Sequence, residues 1–246
     1  MYNCIISKTS KVNLYIDGYT IFIILFLVFL TKHGAILIMS RYRGPRLRLQ
    51  RRLGVQLSHL TRKRVRNKKR QNTLPGQHGY SRKKIRRSEY RMRLEEKQKL
   101  RFNYCITEAQ LFRYVKEARR IKGSTGLIIL QLLEMRLDTI VFRLNLSPTI
   151  LSARQLVSHG HVKVNNHVVT IPSFQCQPGD SIQLSDKKSI REIVEENASS
   201  KRRTYLPYHL AGSLKQLKGG VKKVVDRKDI RLPVNELLVV EYYSRR

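Results

Sequence analysis

The sequence predicts an α+β fold: a basic N-terminal arm, a helical domain, and a compact module of two short helices packed on a small antiparallel sheet. Three observations carry this reading. Residues 39–88 hold eighteen Lys or Arg and no Asp or Glu. From about Ser88 to Gly160 apolar residues recur at helical spacing between capping signals. After Gly160 the pattern changes to alternation punctuated by Asn165-Asn166 and Pro178-Gly179, as short strands and tight turns require. The 246 residues suffice for one large domain or two small ones with real cores.

Charge narrows the function class. Fifty Lys and Arg against seventeen Asp and Glu leave the chain at +33. So large a surplus repels itself in a compact fold and makes sense mainly beside a polyanion. The basic arm is expected to be disordered alone and ordered by nucleic acid. A membrane surface would want an uninterrupted amphipathic helix, whereas "RYRGPRLRLQRRLG" is broken by Gly44, Pro45 and Gly54. In "TLPGQHGYSRKK", Pro75, Gly76 and Gly79 deny the arm a regular element and let its backbone approach a partner.

The residues before the arm differ from it. Tyr19–Leu30, "YTIFIILFLVFL", is apolar but shorter than the roughly twenty residues of a membrane span. Residues 1–38 contain no Arg and carry only +2, and no small-residue cleavage site follows the apolar run. The expectation is that translation begins at Met39, so that 1–38 is not part of the mature protein; a membrane anchor is the alternative.

The elements then follow in order. Thr107 opens a helix with a capping box completed by Gln110. Leu111, Tyr114, Val115 and Ala118 form its stripe, and Arg119, Arg120 and Lys122 fill its end before Gly123. "GSTG" matches a phosphate-clamping GxxG, but a helix end followed by a new N-cap explains it better. "LIILQLLEMRLDTIVFRLNL" is one long helix or two abutting ones. Leu133, Leu137, Ile140, Val141 and Leu144 face its core, while Arg136 and Arg143, seven apart, share an outer face. Ser147-Pro148-Thr149 starts a further short helix with Ala153, Leu156 and Val157 buried, ended by Gly160. "VKVNNHVV" is a two-residue hairpin and "QPGDSIQL" another turn and strand. Residues 198–231 read as basic and loop-rich, and "ELLVVEYYS" as a buried strand.

The stretch "SARQLVSHGHVKVNNHVV" tests for chemistry. His159, His161 and His167 have no acidic residue near them between Asp138 and Asp180, and no CxxC or HExxH occurs, so a metal centre is not expected. Cys4, Cys105 and Cys176 are far apart, without a disulfide or zinc-knuckle spacing. No nucleophile stands at a recognisable distance from a histidine, and no P-loop or dinucleotide glycine set is present. No cofactor and no catalytic residue are therefore expected. Instead Arg154, Gln155, Ser158, His159, His161, Lys163 and Asn165 gather where the helix meets the strand, away from the apolar residues. Guanidinium, ammonium, hydroxyl and imidazole groups in that pattern suit phosphate and ribose. Arg136 and Arg143 are expected to extend this face. Arg41, Arg43, Arg46, Arg48, Arg51, Arg52, Gln77, His78, Lys83 and Lys84 of the arm join the candidate set.

"RLDTIVFRLNLSPTILSARQLVSHGHVKVNNHVVTIPSFQCQPGD" closely resembles the S-four RNA-binding fold, which also occurs in some pseudouridine synthases and tyrosyl-tRNA synthetases. The flanking "MSRYRGPRLRLQRRLG", "LPGQHGYSRKK", "RLEEKQKLRFNY" and "KGSTG…LLEMRLD" are similar, in order and spacing, to the small-subunit ribosomal protein four family. "RYRGPR" and "RLEEKQKLRF" look more like its plastid members. The resemblance implies a primary rRNA-binding protein that nucleates the body of the small subunit at a junction in the five-prime domain. It also implies contact with small-subunit protein five and other small-subunit proteins, an influence on accuracy, no membrane, and a place in the plastid stroma, with bacterial cytoplasm as the alternative. An RNA-module, 134–197, would be inserted into a first domain, 39–133, completed by 198–246. An RNA-modifying enzyme with the same module is the rival, but the remainder of the chain is basic and loop-rich. Two departures stand out: the N-terminal extension, and Cys105 where the family usually has glycine. The cysteine cluster that holds zinc in some relatives is missing from this arm.

Overall fold

The computed structural model describes residues 42, 44–55, 57, 60, 73–80, 88–199, 205–213 and 217–244. Its first element is a helix, α1 (Arg46–Leu53), closed by Gly54 in the left-handed conformation. The arm is thus not wholly extended. Leu57 and Leu60 are fully buried in the common core, and Arg46 donates to the Leu60 carbonyl at 3.3 Å. A 3₁₀ turn at Gln77–Tyr80 follows Pro75-Gly76, where no regular element was expected. Its tightness requires Gly79, because a Cβ there would lie 1.9 Å from the Leu74 carbonyl oxygen.

Three helices build the next layer: α2 (Glu89–Asn103), α3 (Glu108–Arg120) and α4 (Thr125–Glu134). The Thr107 capping box forms in full, with Gln110 N–H donating to Thr107 Oγ1 and Thr107 N–H to Gln110 Oε1. Gly123 has a φ of 135°, two residues after α3 closes at Ile121, and Ser124 takes the N-cap position of α4 without a side-chain bond, so "GSTG" is the turn between two helices. The apolar run is two helices, with α5 (Leu137–Arg143) beginning after a break at Met135-Arg136.

Helices α5 and α6 (Ile150–Ser158) pack on one another, and their buried residues share one core cluster with those of a sheet. Thr149 Oγ1 accepts the Ser152 N–H at the start of α6, and Gly160, with a φ of 71°, turns the chain into β1 (Val162–Val164). Asn165 and Asn166 both adopt positive φ, 49° and 69°, as a two-residue hairpin turn requires. β2 (His167–Val168) returns beside β1, and β3 (Ser181–Leu184) lies on its other side. A further helix, α7 (Lys188–Ser199), is tied to the end of α5 by Asn197, which donates to the Asn145 carbonyl at 2.7 Å.

The C-terminal region departs from expectation twice. Residues 198–231 contribute β4 (Leu210–Ser213) and β5 (Lys218–Val221), giving an antiparallel sheet of order β2-β1-β3-β5-β4. The basic composition of the segment read as loop, and glycines interrupt both strands. The same glycines admit a neighbour: a Cβ on Gly219 would lie 2.5 Å from Leu144 Cδ1. "ELLVVEYYS" is helix α8 (Glu236–Ser244), not a strand. Val239 and Tyr243, four apart, are its buried pair, and it packs on α2, α4 and α3. Buried Lys97 of α2 donates to Glu108 at 3.0 Å and Tyr242 at 3.4 Å, linking α2, α3 and α8.

Candidate nucleic-acid interface

The arginines expected on the surface of the module are inside it. Arg136, Arg143 and Arg154 are 2%, 4% and 9% exposed. Arg136 grips Asp138 in two parallel bonds of 3.0 and 2.8 Å and also reaches the Tyr114 hydroxyl at 2.6 Å. Arg154 takes the other side of Asp138, donating to Oδ2 at 3.0 and 2.7 Å, and to the carbonyls of Cys105 and Tyr104. Arg143 is held by Glu134 at 3.0 and 2.5 Å, and Tyr104 donates to the same carboxylate. Burial opposes the charge on Asp138, but the guanidinium groups of Arg136 and Arg154 overcome it and hold the carboxyl below its ordinary pKa.

These three therefore correct the expected RNA-facing set. Seven-residue spacing places Arg136 and Arg143 on one face only along a continuous helix, and α5 starts after Arg136. Arg154 belongs to the buried side of α6 beside Ala153 and Val157. The network instead locks the α2–α3 junction to the module. Cys105 shows why: its φ is 52°, a conformation that favours glycine, and the bond from Arg154 to its carbonyl helps hold it there. Burial pushes the Cys105 and Cys176 thiols up to about 11 and about 12, which leaves neither as a nucleophile at neutral pH.

The polar face that does meet solvent lies where α6 turns into β1. Gln155, Ser158, His159 and Lys163 are exposed, Lys163 standing between buried Val162 and Val164. His161 is partly covered, its ring edge-on to His159 at 6.1 Å between centroids. Partial burial, with the charges of Lys187 and His159, holds His161 below the ordinary imidazole pKa. A shallow groove of about 200 Å³ between α6 and α7 is lined by Ser152, Gln155, His159, His161 and Ser189 over an apolar floor of Leu156, Ile190 and Ile193. Asn165 is exposed and also fixes the turn, its amide donating to Asp180 at 2.8 Å and accepting from Ser181 N–H at 2.9 Å.

From sequence alone Lys187 reads as a cation of the loop after the last strand that contributes little, yet the structure brings it to this edge. The loop after β3 is docked by the Ser185 N–H on the His161 carbonyl at 2.8 Å, which brings Lys187 to the histidine pair. Asp186, the carboxylate beside it, is occupied by Arg191. On α3, Arg113, Lys116, Arg119 and Arg120 are a further exposed cationic row; only its end was legible from capping. In the arm, Arg48 and Arg52 of α1 and the residues Gln77 and His78 are exposed. Arg46 and Arg51 are instead bound internally, Arg51 to Thr73 and Leu74. Arg41, Arg43, Lys83 and Lys84 lie outside the described residues, as does the apolar run Tyr19–Leu30. Among the described residues no cluster of His, Cys, Asp or Glu could hold a metal, and no helix is long and apolar enough to cross a membrane.

Residues 41–134 match the model of the ribosomal protein S4/S9 N-terminal domain, and 135–182 that of the S4 domain. The chain is 60% identical to small ribosomal subunit protein uS4 of Cyanothece sp. over 208 residues, 85% of this chain and all of the relative. The chain belongs to the uS4 family. Other similar members are uS4 of Nostoc punctiforme, 58% identical over the same share of each chain, and uS4c of Cyanophora paradoxa, 55% identical over 207 residues, 84% of this chain and all of the relative. The uS4 family fixes the class of function: a structural constituent of the small ribosomal subunit, not an enzyme.

Proposed function

We propose that this chain is a primary binder of small-subunit rRNA in the five-prime domain and nucleates assembly of the subunit body. The observation that carries it is the solvent-facing end of α6 with β1: Gln155, Ser158, His159, His161 and Lys163, extended by Lys187, present donors on one edge while nearby Asp180 and Asp186 are engaged internally. Lysine serves phosphate, and hydroxyl and imidazole groups reach sugar and base edges. The exposed arm residues Arg48, Arg52, Gln77 and His78 provide a second contact, with Arg41, Arg43, Lys83 and Lys84 continuing it. The module 134–197 and the flanking 39–133 and 198–246 act as one RNA-binding body, and small-subunit protein five is the neighbour through which it influences accuracy. The uS4c relative supports a place in plastid ribosomes; the cyanobacterial relatives support the bacterial cytoplasm as the second reading.

The test is the salt dependence of binding to a transcript of the five-prime rRNA domain. Lys163→Ala should weaken binding and reduce the slope of log K against log salt by about 0.7 to 0.9, the signature of one lost phosphate contact. A folded Lys163→Ala/Lys187→Ala protein with unchanged affinity and slope would show that this edge does not meet RNA.

A further inference from the structure

Beyond β3 the chain forms a second exposed feature of different chemistry. Tyr205 and Tyr208 stand edge to face, ring centroids 5.9 Å apart and planes at 73°. The Arg231 guanidinium lies 3.9 Å from the centre of the Tyr205 ring. Tyr208 is nonetheless 73% exposed, more than any other large hydrophobic side chain among the described residues. Its contact with Tyr205 thus leaves most of the ring in water beside a stacked Tyr–Arg pair.

The surroundings specify what would cover it. Lys222 is joined to the tyrosine turn by its N–H bond of 2.7 Å to the His209 carbonyl, and its side chain is exposed. Residues 198–231 hold ten Lys or Arg against Asp226 and Asp229. Asp226 is engaged by Lys223, and the Asp229 side chain, 7% exposed, is turned toward His209. Arg231 and Lys222 have no carboxylate partner among the described residues. An apolar protein surface would not satisfy these cations; a nucleotide satisfies both features, its base on the aromatic face and its phosphate on the ammonium.

We propose that Tyr208, backed by Tyr205 and Arg231, is a stacking platform for one unpaired base of RNA, with Lys222 on the adjoining phosphate. This rests on the RNA-binding reading above and adds to it a single-stranded site away from the α6–β1 edge. Tyr205 is the positioning residue, since its ring carries Arg231 and braces Tyr208.

The experiment uses the full chain and the same five-prime-domain transcript. Tyr208→Leu keeps an apolar side chain and removes the π face. It should lower affinity by about tenfold while leaving the salt slope unchanged, because stacking releases no counterions. Tyr208→Phe should retain wild-type affinity, and Lys222→Ala should reduce the slope. Zero-length ultraviolet cross-linking should attach a nucleotide to the peptide containing Tyr208. If Tyr208→Leu binds as the wild type does while Lys163→Ala weakens binding, the platform is overturned and the reading of the α6–β1 edge stands. A loss accompanied by a reduced slope, or a cross-link from Tyr208 to a protein in assembled subunits, overturns it as well. If neither Tyr208→Leu nor Lys163→Ala affects binding, both readings fall.

Discussion

Lys163 and Arg154 belong to the same motif and have opposite duties. A sequence shows that both are cations; it does not show that Asp138, sixteen positions before Arg154, sits beneath it at 2.7 Å. Charges that are paired and buried cost desolvation to bring together, and removing Arg154 leaves buried Asp138 with Arg136 alone and the Tyr104 and Cys105 carbonyls without that donor. Arg154→Ala should therefore destabilise the fold by about 3 kcal/mol, read as a lowered midpoint in urea unfolding of the RNA-free protein. Lys163→Ala is surface-exposed and should unfold within about 0.5 kcal/mol of the wild type. Equal midpoints for Arg154→Ala and the wild type would mean that the Arg136–Asp138–Arg154 cluster does not hold the α2–α3 junction to the module. The polar end of α6 was legible because Gln155, Ser158 and His159 are separated from the apolar positions along one helix. The partners of Arg136, Arg143 and Arg154 were not, because they come from a helix break and from distant segments.

At the scale of elements, legibility followed the locality of the signal. The Thr107 capping box and the Asn165-Asn166 turn are each written within four residues, and each formed. β4 and β5 carry "LAGS" and "KGGV", whose glycines serve a tertiary need, the approach of Leu144, that no local pattern encodes. The apolar content of "ELLVVEYYS" suggested a strand, yet the segment is a helix that packs on α2, α4 and α3, with Tyr243 reaching Glu108 and Phe112 of α3. That docking is close. A Cβ added to Gly126 of α4 would lie 2.6 Å from Glu236 Cβ, the first residue of α8. Gly126→Ala should force the two helices apart and cost about 1 to 3 kcal/mol, despite alanine's better helix propensity. Thermal melting of the single variant checks this; a raised melting temperature would show that α8 does not press on α4 there.

For the whole molecule the governing quantity is +33 over 246 residues. The free protein holds this charge against itself, opposed in part by local ion pairs such as Arg91 with Glu95, Arg93 with Glu89 and Lys99 with Glu96. Added salt shortens the screening length from about 10 Å at 0.1 M to about 3 Å at 1 M. That weakens repulsion between surface cations more than it weakens the buried Asp138 and Glu134 pairs, which water and ions do not reach. Binding to RNA responds in the opposite direction, since each phosphate contact depends on releasing counterions into dilute solution. Free protein and RNA complex should therefore diverge on one titration from about 0.1 to 1 M salt. The melting temperature of the free chain should rise, while affinity for the rRNA transcript falls by orders of magnitude. Differential scanning fluorimetry of the free chain, beside filter binding at the same salt concentrations, measures both. A free protein that loses stability over that range would show that its surface cations are already balanced within the fold, and that the excess charge is not held in wait for RNA.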